Sequence, residues 1–529
     1  MAEKLPEQNS ISLKTRRKTW LLVAALIAVF FLVFAYIFNP KLDLNGDNCY
    51  YYTYATAMAQ GNGYSDISVL GNPPTNNYPP GYSLLMTPLR MLTDSIIAQK
   101  WLNGFFLLAS VLLIFFWLKK QGIREELAFI ASAVCLLNYH VLHFTTMMMS
   151  EPSTLFFSVW ALWLLGMLND RKPFWKDPYF WGLILVVGFG YHIRTQLVTL
   201  FAAILVYFAF SKRWLHLLGM VGGFFLTSLP WTLRNNALNI GYSRYLDTMV
   251  MANPWRPEEG ALNFGEFMGR FFETLKMLIS KALPNSITPY FDVNYGEPAS
   301  VKLWVAGILM TFFIIYGLWQ LGKYRYFLIA YPVFLFGLIS MWSTPSENRY
   351  IVSLEPFLEI GLVLGVFYFI RFLAVHSKIV KQDISPWIMA VFLLLPLPRL
   401  QVLKAQNQTD FPVQYKNFFA IAGEVKKQLP SETVVASRKP SLFYMFSRGK
   451  IATFVYSSDD RQVIEGFLSD NVDYVVLDEL GYSATALYLY PAIQKNPDLF
   501  IPVLQIPNSN SYLLRFEKDK ARAQLNQTK

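Results

Sequence analysis

The feature that most restricts what this chain can fold into is the recurrence of long apolar runs. The first, Trp20 to Phe38, contains no charged residue. At 1.5 Å per residue, a helix over that run is roughly 28 Å long, about the thickness of a bilayer's hydrocarbon core. Further runs of this kind lie at 96–117, 126–144, 152–168, 178–193, 196–210, 214–232, 302–321, 326–342, 350–371 and 386–399, eleven with the first. With 54% of its 529 residues hydrophobic, 17% aromatic and only 15% charged, the composition departs from that of a soluble domain in the same direction. The predicted fold class is therefore a polytopic α-helical membrane protein with about eleven transmembrane helices. The first run is too long for a signal-peptide core and lacks a small-residue cleavage site, so it reads as a retained anchor behind a cytoplasmic segment 1–19.

The formal charge of +11 forms no contiguous basic stripe, which argues against a nucleic-acid partner. With the N-terminus inside, the cytoplasmic connections carry Lys119, Lys120 and Arg124; Arg171, Lys172 and Lys176; Lys212 and Arg213; Lys323 and Arg325; and Arg371, Lys378 and Lys381. Every basic connection then falls on one side, as the positive-inside bias requires. The expected location is a multi-pass plasma or inner membrane, with the lipid bilayer as partner. The other, exoplasmic or periplasmic, face receives loops 41–82 and 233–300, the turns around Glu151, Arg194 and Arg349, and everything after 400. Composition changes there: TVVAS, VDYVVLDEL, FIPVLQI and SYLLRF read as strands alternating with helices near 460–470 and 484–495, so 401–520 is expected to form a small α/β domain. Residues 521–529 read as a flexible tail.

Loop 41–82 is polar, carboxylate-bearing and turn-rich. Its carboxylates Asp43, Asp47 and Asp66 would each cost about 2.5 to 3.5 kcal/mol at mid-bilayer, which keeps it out of the hydrocarbon. A short helix is predicted from Asp47, a favoured N-cap type, to Gly61 and Gly63, followed by extended chain through Pro73-Pro74 and Pro79-Pro80-Gly81. On this face the candidate reactive groups are Asp43, Asp47 and Glu151; Arg194, Arg234, Arg244 and Arg349; and His140, His143 and His192. An ionised carboxylate can act as a general base, and a planar guanidinium can neutralise a phosphate with two parallel hydrogen bonds. Each residue also has a plainer reading. Asp47 can simply cap its helix, Asp43 be a solvated loop residue, Glu151 complement a helix dipole and Arg194 reach for the interface. Tyr50, Tyr51, Tyr52 and Tyr54 read first as an interfacial belt. The histidines, together with Cys49 and Cys135, lack metal-ligand spacing; no cofactor is expected, and the sequence leaves a divalent metal open.

Taken in order, these motifs resemble the GT-C membrane glycosyltransferases that use polyprenyl-phosphate sugars, in particular the branch with protein O-mannosyltransferases and lipid A aminoarabinose transferases. The resemblance covers roughly residues 20–400. It rests on GDNCYYYTYATAMAQGNGY followed by NYPPGYSLL, on MMMSEPSTLFF, HIRTQ and LPWTLRN, and on SENRYIVSLEP. It implies a glycosyltransferase that moves sugar from a polyprenyl-phosphate donor to an exoplasmic glycan, lipid or protein by inverting displacement. Asp47 would be the general base and Glu151 a second catalytic acid that orients the substrate. Arg194, Arg234 and Arg349 would bind the donor phosphate, with Tyr51, Tyr78, Pro79 and Pro80 lining the substrate. Two positions depart from the pattern: Asn48 stands where a second acid often follows, and Tyr78 where aminoarabinose transferases place a lysine. The competing class, a lipid or solute transporter or flippase, would want ionisable residues at mid-span, and these runs are nearly free of charge.

Overall fold

The structure, a computed structural model, describes residues 5–44, 46–169, 173–241, 245–253, 260–288, 290–291, 293–343, 348–377 and 384–527. Arg171, Lys172, Arg244, Lys378 and Lys381 lie outside the described residues. The chain divides into two compact units. The first comprises Met1–Leu42, Asn76–Tyr82 and Ser95–Gln408, and the second Asp43–Thr75, Ser83–Asp94 and Thr409–Lys529.

The first unit is helical. Among the described residues six helices are long and apolar enough to cross a membrane: Arg16–Ile37, Ile96–Lys120, Trp214–Ala237, Val301–Trp319, Arg349–His376 and Pro386–Gln408. The pair Glu125–Leu137 and Tyr139–Thr145, bent by 56°, raises the number to seven. The remaining apolar runs form the shorter helices Glu151–Met167, Pro178–Ile193, Val198–Phe210 and Arg325–Ser340. At roughly 20 to 25 Å these fall short of a full hydrocarbon thickness, so length and composition by themselves support six or seven of the eleven expected crossings. The last run departs most, being a 3-10 turn, Pro386–Leu393, followed by the helix Leu397–Gln408.

Helix contacts here depend on small residues. A Cβ on Gly317 would lie 1.9 Å from the Gly361 carbonyl, and one on Gly365 1.9 Å from that of Phe313, so Val301–Trp319 and Glu355–His376 cross backbone to backbone. At one end of the unit, Thr19 Oγ1 donates to Glu125 at 2.7 Å, Lys119 pairs with Glu125 at 2.5 Å, and Lys18 pairs with Glu126. The N-terminal basic cluster and the first basic connection therefore meet. Lys100, fully buried in a spanning helix, donates to the carbonyls of Asn39 at 2.9 Å and Lys41 at 2.5 Å. Those carbonyls lie just past the end of Leu5–Ile37, where a helix leaves acceptors unsatisfied and favours a cation.

The second unit is built on a five-stranded sheet of order β2-β1-β3-β5-β4, with β1 Val434–Ala436, β2 Lys450–Ala452, β3 Tyr474–Leu477, β4 Phe500–Gln505 and β5 Tyr512–Phe516. β1 pairs in parallel with β2 and β3, while β5 runs antiparallel to β3 and β4. Val463, Phe467, Val475, Phe500 and Phe516 are among the residues that fill its core. Two expectations are corrected. The segment expected to be a flexible tail from 521 belongs to the helix Lys518–Gln527, whose Ala521 is fully buried in that core. Tyr51, Tyr52 and Tyr54 are buried inside this unit and form no interfacial belt, because loop 43–75 packs with the C-terminal domain. Leu70 N–H donates to the Ile451 carbonyl at 2.8 Å, extending the β2 edge of the sheet into the loop.

Candidate active site

In the first unit the MMMSEP turn places Glu151 at the start of Glu151–Met167, with Pro152 suited to the first helical turn. Asn103 supports this turn, donating to the carbonyls of Met147 at 2.6 Å and Met149 at 2.9 Å, and Tyr82 Oη donates to Asn103 at 3.2 Å. The PPGY motif is thus tied to the acid through one asparagine. Gly81 is required here by close approach: a Cβ would meet the backbone of His192 and Ile193 at 2.6 Å, immediately before Arg194.

Glu151 is 2% exposed, and its Oε1 accepts from Arg194 Nη1 at 2.7 Å and Arg349 Nε at 2.6 Å. Arg194 occupies an extended break between Pro178–Ile193 and a short 3-10 turn, and also donates to Ser150 Oγ at 3.2 Å. Arg349 opens the 3-10 segment Arg349–Leu354, whose Tyr350 ring lies 5.5 Å from the Arg194 guanidinium. Two guanidiniums thus converge on one buried carboxylate oxygen. Each presents its N–H donors in a rigid planar fork. The arrangement suits a phosphate, with Glu151 fixing the two planar groups in place.

Arg234 is bonded elsewhere, donating to Asn235 at 2.8 Å with its guanidinium 4.7 Å from the Trp231 ring. The histidines are packing residues. His140 meets the Asn348 side chain at 2.9 Å and the Asn285 carbonyl at 3.3 Å, His192 meets the Thr227 carbonyl at 3.1 Å, and His143 stacks on Tyr139. Among the described residues no group of three His, Cys, Asp or Glu side chains could hold a metal. Pro80 is buried, while Tyr78 and Pro79 are half-buried.

In the second unit Asp47 is the first residue of the helix Asp47–Ala59 and is half-buried. The capping reading is corrected: Gly46 occupies the N-cap with φ 81°, and no side chain caps the helix. A left-handed backbone at that point favours glycine. Asp43, expected to be solvated, is buried, and its carbonyl accepts from Asn48 Nδ2 at 2.8 Å. Tyr51, expected to line the substrate, is 3% exposed. Arg90 fixes the same helix, donating to Thr56 Oγ1 at 3.0 Å and pairing with Asp94 at 2.6 Å beside the Tyr52 ring. Burial pushes the Cys49 thiol up and holds it neutral, so it is no nucleophile. The same cause pushes the Tyr50 hydroxyl up to about 12.

Sequence reasoning missed Lys439, whose ammonium stands beside Gly46 and next to Asp47, 3.9 Å from the position of a Cβ on Gly46. The only available signal was an Arg-Lys pair directly after a predicted strand.

Residues 78–244 match the family described as dolichyl-phosphate-mannose-protein mannosyltransferase. That segment includes Tyr78, Pro79, Pro80, Glu151, Arg194 and Arg234, but neither Asp47 nor Arg349. No curated protein matches the chain in sequence. Among solved structures, the chain is similar to ArnT from Cupriavidus metallidurans bound to undecaprenyl phosphate, with a TM-score of 0.61 and 12% identity over 93% of this chain and 97% of that one. Apo ArnT from the same organism gives a TM-score of 0.56 and 12% identity over 95% and 99% of the two chains. Over nearly its whole length, therefore, this chain has the fold of ArnT, and residues 78–244 within it match the mannosyltransferase family model.

Proposed function

We propose that this protein is a membrane glycosyltransferase that transfers a sugar from a polyprenyl-phosphate donor to an exoplasmic glycan, lipid or protein. The observation that carries the reading is the buried Glu151 carboxylate holding two arginines side by side at 2.6 and 2.7 Å. A cationic, preorganised pair of planar donors fits the lipid phosphate, and ArnT, which shares the fold, was solved with undecaprenyl phosphate bound.

The reaction is a single inverting displacement. An acceptor hydroxyl or amine attacks the anomeric carbon while Asp47 takes its proton. The bond from that carbon to the phosphate oxygen breaks, and its electron pair leaves with the lipid phosphate. Arg194 and Arg349 stabilise the charge that develops there, with Arg234 as a further donor contact, so the leaving group needs no protonation. Tyr78, Pro79 and Pro80 line the substrate. In this reading the N-terminus is cytoplasmic, the chain crosses the bilayer eleven times, and the catalytic face and the C-terminal domain are exoplasmic.

The test is product mass spectrometry on the purified protein supplied with a panel of polyprenyl-phosphate sugars and a membrane extract as acceptor source. Transfer from one of these donors is expected, lost in Asp47→Asn and reduced in Arg194→Lys, which keeps charge but not the planar fork. Transfer from none of them would reject the proposal.

A further inference from the structure

The C-terminal domain contains a constellation that the proposed chemistry does not use. In the order β2-β1-β3 all three strands are parallel, and the chain passes from β1 to β2 on one side, then back across β1 to β3 on the other. Such a reversal opens a crevice at the carboxyl ends of the strands, the usual ligand position in open α/β sheets. The residues that follow those ends are Ser437, Arg438 and Lys439 after β1, Tyr456 after β2, and Asp478 and Tyr482 after β3.

The Arg438 guanidinium lies between two rings, 5.2 Å from Tyr456 and 5.0 Å from Tyr482, and Lys439 Nζ is 4.3 Å from the Tyr482 ring. Neither cation has a carboxylate within ion-pair distance among the described residues. Three buried polar atoms are left without a partner: Arg438 Nε, Ser437 Oγ and Asp478 Oδ2. Asp478 is 6% exposed, and its other oxygen accepts from Leu480 N–H at 3.0 Å. Burial pushes this carboxyl up to about 6 despite the two nearby cations. A buried acceptor and a buried donor left facing each other's neighbourhood without pairing are costly unless a ligand satisfies them.

The charges choose the ligand. Arg438 and Lys439 are balanced by Asp478 and, at the Lys439 end, by Asp47, so the crevice as a whole is not an anion trap. With Tyr456 stacked on Tyr488 at 5.7 Å and the Tyr482 ring carrying both cations, it offers ring edges for C–H surfaces together with donors and acceptors suited to hydroxyl groups. We propose that this crevice binds a neutral saccharide, with the edges of Tyr456 and Tyr482 as walls, Arg438 as donor and Asp478 as acceptor, and that Lys439 marks the end at which the sugar approaches Asp47. The bound saccharide is the acceptor glycan; that assignment rests on the proposed transferase reading, whereas the binding site itself does not.

The experiment uses the full chain in nanodiscs. Arg438 is modified with phenylglyoxal and quantified by peptide mass spectrometry, with neutral gluco-, manno- and galacto-oligosaccharides or inorganic phosphate as the added probe. At least one saccharide series should protect Arg438 at saturation while phosphate does not, and Arg522, outside the crevice, should react equally throughout. Asp478→Asn and Tyr482→Ala should each raise the protecting concentration about tenfold, and Tyr482→Phe, which keeps the ring that holds both cations, should change it less. Protection by none of the saccharides, or equal protection by phosphate, overturns the proposal. The protection should persist in Asp47→Asn protein. If it occurs in a protein that transfers no sugar from any donor, the crevice stands and the transferase reading falls; transfer without protection rejects the crevice alone.

Discussion

Replacing Glu151 with glutamine isolates the charge at the centre of the arginine pair, because glutamine keeps the size and one carbonyl acceptor. In the parent, a single buried oxygen takes charge-assisted hydrogen bonds at 2.6 and 2.7 Å from two arginines that are themselves mostly buried. Removing one partner of a buried ion pair costs about 3 to 5 kcal/mol, since the remaining charge stays desolvated and uncompensated. Here two guanidiniums lose the Glu151 carboxylate together, so a loss of stability within that range is expected. The substitution also removes a negative charge from between the two arginines, so a phosphate should now restore what the carboxylate supplied. Denaturant titration in nanodiscs, with and without a polyprenyl phosphate, should show a less stable Glu151→Gln protein that the lipid phosphate stabilises more than it stabilises the parent. Turnover should fall together with KM, as expected when ground-state donor binding tightens while the geometry at the leaving phosphate is lost. A variant with parental stability and an unchanged response to lipid phosphate would refute the reasoning that Glu151 holds Arg194 and Arg349 for the donor.

Three further outcomes follow from particular contacts. Gly81→Ala forces a methyl against the His192–Ile193 backbone at 2.6 Å and should cost about 1 to 3 kcal/mol, with donor affinity lowered because Arg194 adjoins the displaced segment; a melting curve and a donor titration matching the parent would contradict this. Asp478 has a folded pKa of about 6 against an unfolded value of 3.8, so the native state holds its proton more tightly. Its contribution is present below about pH 4 and is lost as pH rises through about 6; Asp478→Asn should remove that slope and gain on the order of 2 to 3 kcal/mol at pH 7. A pH-stability curve with the parental slope would count against it. Cysteine labelling in intact cells at exposed positions of loop 41–75 and at Arg522 should report the exoplasmic side for both, and a cytoplasmic report from Arg522 would remove the eleven-crossing arrangement.

The membrane character of the chain was legible because apolar runs have no other stable use, and each run is helical in the structure. Their number as crossings was less legible: Glu151–Met167 and Pro178–Ile193 are apolar enough but short, and hydropathy does not report length once a turn intervenes. Four strands of the C-terminal sheet could be read from alternation and β-branched residues, whereas β2, three residues long, gave no periodic signal. Glu151, Arg194 and Arg349 could each be nominated from an acid or arginine on an unexpected face. That Glu151 joins the other two depends on contacts across 43 and 198 residues of chain, which no local pattern encodes. The burial of Tyr51, Tyr52 and Tyr54 was misread for the same reason: an aromatic cluster next to a membrane exit looks interfacial until the domain that covers it, some 350 residues later, is in place.

The central claim is that Asp47 is the base, and the most direct measurement is single-turnover transfer by Asp47→Asn alongside its melting temperature. Because Gly46 rather than the Asp47 side chain occupies the N-cap, asparagine should leave the fold intact, at a cost of about 1 kcal/mol for the charge lost at the helix start and beside Lys439. The account predicts a well-folded protein that still binds the polyprenyl-phosphate donor but transfers sugar about 10²- to 10⁴-fold more slowly, the typical contribution of one positioned proton acceptor. Near-parental transfer by folded Asp47→Asn protein would contradict it.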